Sequence, residues 1–152
     1  MFKAPLKLPV VLVGLLMILM LGIDAWFITF KHGFKFQALF SLLVFSLGVL
    51  IVTVGGYAFK KANTTVNPLN PENTSQLVTS GVYSLSRNPM YVGFFLWLTA
   101  SVIFIGNSLN LVVLPVYVVL ANSLYILPEE RALSKLFGKD FAEYKNQVRR
   151  WI

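Results

Sequence analysis

The apolar positions of this chain fall into long blocks. Residues 8–30, 36–59, 90–105 and 109–127 are almost continuously apolar, and polar or turn-forming residues separate them. The first block is about 23 residues long, enough for a helix to cross a hydrocarbon layer of roughly 30 Å. It exceeds the apolar core of a cleaved signal and lacks a small-residue cleavage site, so it is expected to remain as a transmembrane helix. The connections at residues 31–35 and 106–108 are minimal, and connections that short join antiparallel neighbours. The pattern predicts an all-α integral membrane protein with four transmembrane helices arranged as two hairpins. Pro115 is expected to kink the fourth.

Beyond the fourth block the pattern becomes amphipathic. Pro128, followed by Glu129 and Glu130, suits a helix start, where proline fits the first turn and the dipole favours acids. Leu133, Leu136 and Phe137 give that helix an apolar face. Gly138 interrupts it, and Phe141, Tyr144 and Val148 form the apolar side of a second segment. Two short C-terminal amphipathic helices follow from this spacing. Between the hairpins, residues 62–80 are rich in Asn, Thr, Pro and Ser, with Asn67-Pro68 and Asn70-Pro71 as turn signals. The expected organisation is one domain over 1–152. It comprises a hairpin (1–61), a polar loop (62–89), a second hairpin (90–127) and a tail (128–152).

Composition agrees with a membrane protein. Hydrophobic residues make up 57% of the chain and charged residues 12%, against roughly 25% charged in soluble domains. Cysteine is absent, which excludes disulfides, thiolate metal sites and a cysteine nucleophile. No metal site is expected. The net charge of +7 does not imply nucleic acid, because the basic residues flank apolar runs, as topology and anionic lipid require. All thirteen basic residues except Lys31 and Lys35 fall on the side shared by both termini and the polar loop. The positive-inside rule then places termini and loop in the cytoplasm, most simply of a bacterial or archaeal membrane. His32 falls on the far side. The glycosylation triplet at Asn73 falls on the wrong side for modification. Asp24, close to Lys31 and Trp26, is expected to be structural at the interface.

Chemistry concentrates in residues 77–91, LVTSGVYSLSRNPMY. This junction packs Gly81, Tyr83, Arg87, Asn88 and Pro89 immediately before an apolar block, a density of turn and hydrogen-bonding groups that re-entry into the bilayer does not require. The second hairpin should bring Arg87, Asn88 and Tyr91 close to Tyr125, Glu129 and Glu130. Phe94, Trp97, Tyr125 and Trp151 would line the adjoining apolar space. A cation, two carboxylates, amides and aromatic faces at a membrane surface suit a zwitterionic, aromatic, partly cationic ligand. Each feature alone has a plainer reading: tyrosines as interface anchors, Arg87 as a topology charge, the acids as a helix start.

LVTSGVYSLSRNPMYVG followed by EERALSKLFGKDFAEYKNQVRRWI resembles the superfamily of isoprenylcysteine carboxyl methyltransferases and phospholipid methyltransferases. Its pattern is G-x-Y, then R-H-P-x-Y, then E-E with a trailing F-G-x-x-Y-x-x-Y. The resemblance implies S-adenosylmethionine binding without a Rossmann domain. It implies cofactor contacts from Leu77, Val78, Tyr83, Arg87, Asn88, Pro89, Met90, Tyr91, Glu129 and Glu130, with the Glu129 carboxylate on the cofactor's amino group. Two positions depart from the pattern. Asn88 stands in place of the histidine, and Tyr125 stands where prenylcysteine enzymes carry an arginine for the substrate carboxylate. A tyrosine cannot supply that bidentate fork, so the expected acceptor is a neutral or amine-bearing lipophile contacted by Tyr125, with Arg150 as a substitute cation. Methyl transfer depends mainly on positioning and exclusion of water, and no catalytic residue is singled out. Prenylcysteine-type carboxyl methylation and a non-catalytic membrane scaffold stand as the alternatives.

Overall fold

A computed structural model describes residues 8–62 and 75–152. The basic start and the proline turns and Asn73 of the polar loop lie outside the described residues. The described residues form five α-helices: α1 (Pro9–Trp26), α2 (Gln37–Lys61), α3 (Pro89–Ile105), α4 (Val113–Ala121) and α5 (Leu127–Gln147). Among the described residues there is no strand, only an isolated bridge between Lys31 and Asn107. Among the described residues three helical stretches, Pro9–Trp26, Gln37–Lys61 and Ser108–Gln147, are long and apolar enough to span a membrane, and Pro89–Ile105 is a shorter apolar helix. The molecule is an all-α integral membrane protein.

Side chains such as Ile18, Leu21, Leu42, Leu43, Leu50 and Tyr57 are exposed along α1 and α2. In water such a surface would drive association; in a bilayer the lipid chains cover it. The core instead collects around α3, whose Tyr91, Phe94, Leu98 and Val102 are buried with Leu12, Val13, Leu16 and Met20 of α1 and Val113, Tyr117 and Ala121 of α4. The packing departs from the expected first hairpin. α1 and α2 barely touch, and each packs on α3 instead. Glycines explain the preference of α2. A Cβ on Gly48 would stand 2.6 Å from Trp97 and 2.8 Å from the Gly93 carbonyl, and one on Gly93 would stand 2.5 Å from Val52. Small residues let membrane helices approach this closely. Polar bonds reinforce the pair, from Ser41 Oγ to the Ala100 carbonyl (2.8 Å) and from Gln37 Nε2 to those of Ile103 (2.7 Å) and Phe104.

At the end of the bundle remote from residues 77–91, Asp24 accepts from Lys31 Nζ at 2.8 Å and from Asn107 Nδ2 at 3.2 Å. Asn107 is fully buried and also donates to the Phe27 carbonyl. Asp24 is thus held in a structural cap, as its neighbours in sequence suggest, and His32 contributes its backbone N–H to the Gly106 carbonyl.

The fourth span differs from expectation at both proline positions. Pro115 lies in the first turn of α4, behind a 3₁₀ segment at Ser108–Val112, where its missing N–H breaks no helical bond. Pro128 does not open a separate helix. The chain runs from α4 into α5 through a π-helical turn, Asn122–Ile126. A proline ring in an unbroken helix collides with the carbonyl four residues earlier, and the wider turn ahead of Pro128 absorbs it. The same widening lets consecutive residues, Tyr125 and Ile126, both turn inward and be buried. Further on, the tail is helical on both sides of Gly138, where α5 bends through a positive φ of 48°.

Candidate active site

Residues 75–88 descend onto the open end of the bundle and are held there by the chain's last residues. Leu77 joins Phe141, Tyr144 and Val148 in a small apolar cluster, with Val78 partly buried beside it in the chain. A 3₁₀ turn, Gly81–Ser84, buries Tyr83. The Tyr83 ring meets Phe59 edge-on, with centroids 5.1 Å apart, and Tyr144 Oη donates to the Tyr83 carbonyl at 2.6 Å. Burial pushes the Tyr83 hydroxyl up, helped by the fields of Tyr144 and Glu129, and burial pushes Tyr144 up to about 12. Neither phenol ionises near neutrality.

Arg87 and Asn88 do the fastening. The Arg87 backbone N–H donates to the Arg149 carbonyl, and its Nη1 donates to the carbonyls of Lys145 (3.1 Å) and Val148 (2.6 Å). Its Nη2 reaches Glu130 Oε1 at 2.9 Å. From the other side Arg150 forks onto the same carboxylate, Nε to Oε1 at 3.1 Å and Nη2 to Oε2 at 2.7 Å. Asn88 Nδ2 donates to the Arg150 carbonyl at 3.0 Å, and the Asn88 N–H donates to Ser86 Oγ. The amide at Asn88 therefore serves as a latch between loop and tail. Its backbone carbonyl accepts from Tyr91 and Val92 at the start of α3, where Pro89 occupies the first turn. Met90 packs against Gly55 of α2.

Glu129, the first glutamate of the pair, has a different setting. Tyr91 Oη donates to Glu129 Oε1 at 2.9 Å, and among the described residues no lysine, arginine or histidine pairs with Glu129. Glu129 lies beyond the fourth apolar block and is partly buried. Burial pushes its carboxyl up to about 7, against the opposing effect of the Tyr91 hydroxyl. Glu130 is also buried, which by itself would raise it, but Arg150 and Arg87 outweigh that and hold it below the ordinary range. Beside Glu129, Tyr91 and Tyr125 stack with centroids 6.1 Å apart and planes 28° from parallel. Phe94 meets Tyr91 edge-on and Trp97 meets Phe94, so the aromatic wall continues along α3.

The fold thus brings together Tyr83, Arg87, Asn88, Tyr91, Tyr125, Glu129, Glu130 and Arg150. It leaves Leu77 and Val78 at the periphery and Trp97 deeper against α2. Several participants carry no motif signal. Ser86 is buried between Asn88 and the tail, and Tyr117 Oη donates to the Tyr91 carbonyl at 3.0 Å while its ring meets Trp151. A tyrosine inside an apolar block was the available clue, since a buried hydroxyl needs a partner.

The sequence profile of the phospholipid methyltransferase family matches residues 36–140, which includes the fastened loop, the aromatic wall and both glutamates. The chain belongs to this family. Similar proteins include the protein-S-isoprenylcysteine O-methyltransferase of Saccharomyces cerevisiae, 35% identical over 109 residues that cover 67% of this chain and 46% of that protein. Form B of the Arabidopsis thaliana enzyme is 28% identical over 72% of this chain and 55% of its own length. The Xenopus laevis protein of the same name is 42% identical over 72 residues. This phospholipid methyltransferase family chain spans about half the length of the yeast and plant relatives it matches.

Proposed function

We propose that this chain catalyses methyl transfer from S-adenosylmethionine to a lipophilic acceptor that reaches the site laterally from the bilayer. The observation that carries the reading is Glu129, a partly buried carboxylate with a hydroxyl donor and no cation among the described residues. A charge withdrawn from water without a partner is costly, so the site favours a ligand that brings positive charge. The residues fit this cofactor. Glu129 accepts its ammonium, and the faces of Tyr91 and Tyr125 suit a sulfonium through cation–π attraction of about 0.5–2 kcal/mol. Arg87 Nε and Trp151 Nε1 are buried donors without protein partners, a donor type that suits the cofactor's carboxylate or adenine acceptors. When bound, the cofactor supplies an electrophilic methyl group. The chain's own contribution is to orient the ligand and exclude water, with Tyr83 and the tail closing the aqueous side.

The acceptor we favour is neutral or amine-bearing, such as an amino phospholipid, a polyprenyl-type alcohol or thiol, or a hydrophobic small molecule. Arg150, the candidate clamp for a carboxylate, is committed to Glu130, and Tyr125 brings no charge. The names of the relatives favour a second reading, methylation of a prenylcysteine carboxylate. The charge distribution along the chain supports a site at the cytoplasmic face.

The test is a radiolabelled-methyl assay on total membrane lipid extract beside a farnesylcysteine analogue, with calorimetric titration of S-adenosylhomocysteine into the detergent-solubilised chain. Labelled lipid with micromolar-to-millimolar ligand binding is expected. Labelling of the farnesyl compound alone returns the acceptor to the prenylcysteine class. Folded protein that binds no ligand at millimolar concentration leaves the scaffold reading standing.

A further inference from the structure

Three charged side chains at this site, Arg87, Glu130 and Arg150, satisfy one another and leave Glu129 alone. Arg87 has other anchors, since its Nη1 is shared between the carbonyls of Lys145 and Val148. Arg150 does not. Among the described residues its guanidinium has one partner, the Glu130 carboxylate, and its side chain retains 35% of its exposure. The two glutamates are consecutive, with Cα atoms about 3.8 Å apart. Consecutive side chains on a helix diverge, so Arg150 reaches Glu129 only by releasing Glu130 and swinging its long, partly exposed stem. In the folded chain neither arginine bears on the acidity of Glu129, which burial and the Tyr91 hydroxyl set between them.

We propose that Glu130 is a positioning residue that sequesters Arg150, keeping that cation off Glu129 so that the Glu129 carboxylate stays open to a cationic ligand. This rests on the function proposed above, and it assigns to the second glutamate of the pair a role distinct from ligand contact. Without the charge at position 130, Arg87 keeps its two carbonyls while Arg150 loses its sole anchor beside an uncompensated carboxylate. An Arg150–Glu129 pair then occupies the position of the ligand's ammonium. A self-paired state populated nine times in ten raises an apparent Kd about tenfold, because only the remaining fraction is competent to bind. Arg150 does not cancel the site because its bidentate pairing goes to Glu130.

The experiment compares S-adenosylhomocysteine affinity, by calorimetry on the full chain in detergent, for the unsubstituted protein and three variants. Arg150→Gln is expected to bind within about threefold of the parent, since it removes the intruder and leaves Glu130 on Arg87. Glu130→Gln is expected to bind about tenfold more weakly. Glu130→Gln combined with Arg150→Gln is expected to recover to within about threefold, a rescue that a merely structural role for Glu130 does not give. Should Glu130→Gln fail to fold, Glu130→Met, which also removes the charge at similar length, takes its place in both arms, and the same loss and recovery are expected. Parent-like binding by the Glu130 variant, or a double variant as weak as the single, overturns the inference alone. No binding by the unsubstituted chain refutes the proposed function and this inference with it.

Discussion

Glu130 accepts from both Arg87 and Arg150, while Glu129, the residue before it, accepts from the Tyr91 hydroxyl and pairs with no cation among the described residues. Two identical side chains in consecutive positions thus carry opposite electrostatic burdens. Glu130 is stabilised as an anion below its ordinary range, and Glu129 is pushed toward neutrality.

Ligand binding should depend on pH through Glu129. Below about pH 7 its carboxyl takes up a proton and loses its attraction for an ammonium, so S-adenosylhomocysteine affinity falls as pH drops from 8 to 6. Glu129→Gln should weaken binding at pH 8 by about 1–3 kcal/mol, the cost of removing one partner of a buried polar contact. The same variant should flatten the acid limb. A calorimetric pH series on both proteins checks this, and an unchanged pH slope in the variant would rule Glu129 out as the titrating group.

The ligand-free protein should show the reverse preference. A carboxyl raised from 4.5 to about 7 on folding contributes stability that is complete below the unfolded value and is lost as pH rises through about 7. Glu129→Gln, which mimics the protonated form, should therefore melt higher than the parent at pH 8 and no higher at pH 4.5. The gain is at most roughly 3 kcal/mol. Thermal unfolding in detergent at the two pH values decides it.

Tyr91→Phe should move that acid limb. The Tyr91 hydroxyl is the contact that lowers the Glu129 value, so its removal shifts the midpoint of the binding–pH curve upward. It costs about 0.5–1.5 kcal/mol for the lost hydrogen bond at pH 8. A curve displaced to lower pH would contradict the assigned donor.

Asp24→Asn should leave ligand binding intact, because Asp24 belongs to the cap at the other end of the bundle with Lys31 and Asn107. Its effect should appear only as a small drop in thermal stability, as for an exposed ion pair screened by solvent. Abolished binding in this variant would mean that the ligand site has been placed at the wrong end.

Gly93→Val should unseat α2 from α3. A Cβ at Gly93 already meets Val52 at 2.5 Å and the Gly48 carbonyl at 2.8 Å, and a backbone oxygen cannot rotate away. Overpacking costs typically about 1–3 kcal/mol. A variant with parent-like melting would show that the helices are less closely apposed than the glycine pair requires.

Much of this protein is determined locally and could be read from the chain. Runs such as residues 36–59 declare a membrane helix because the bilayer judges each segment by its own hydropathy and length. The meeting of residues 77–91 with the tail follows from chain order, since α3 begins and the fourth span ends at the same face. Other features depend on partners distant in sequence. Whether Glu129 or Glu130 takes the arginines is invisible in EE; it is decided by residues 87 and 150 arriving from two directions on a helix already turned by the π segment at 122–126. Arg150 reads as a spare cation and Asn88 as a missing histidine until the folded tail shows one bound to Glu130 and the other latched to a backbone carbonyl. The preference of α2 for α3 over its sequence neighbour α1 rests on two glycines, 48 and 93, whose significance appears only when they face one another. Hydropathy is a property of a segment, whereas charge pairing and close packing belong to the pairs of surfaces that the fold brings into contact.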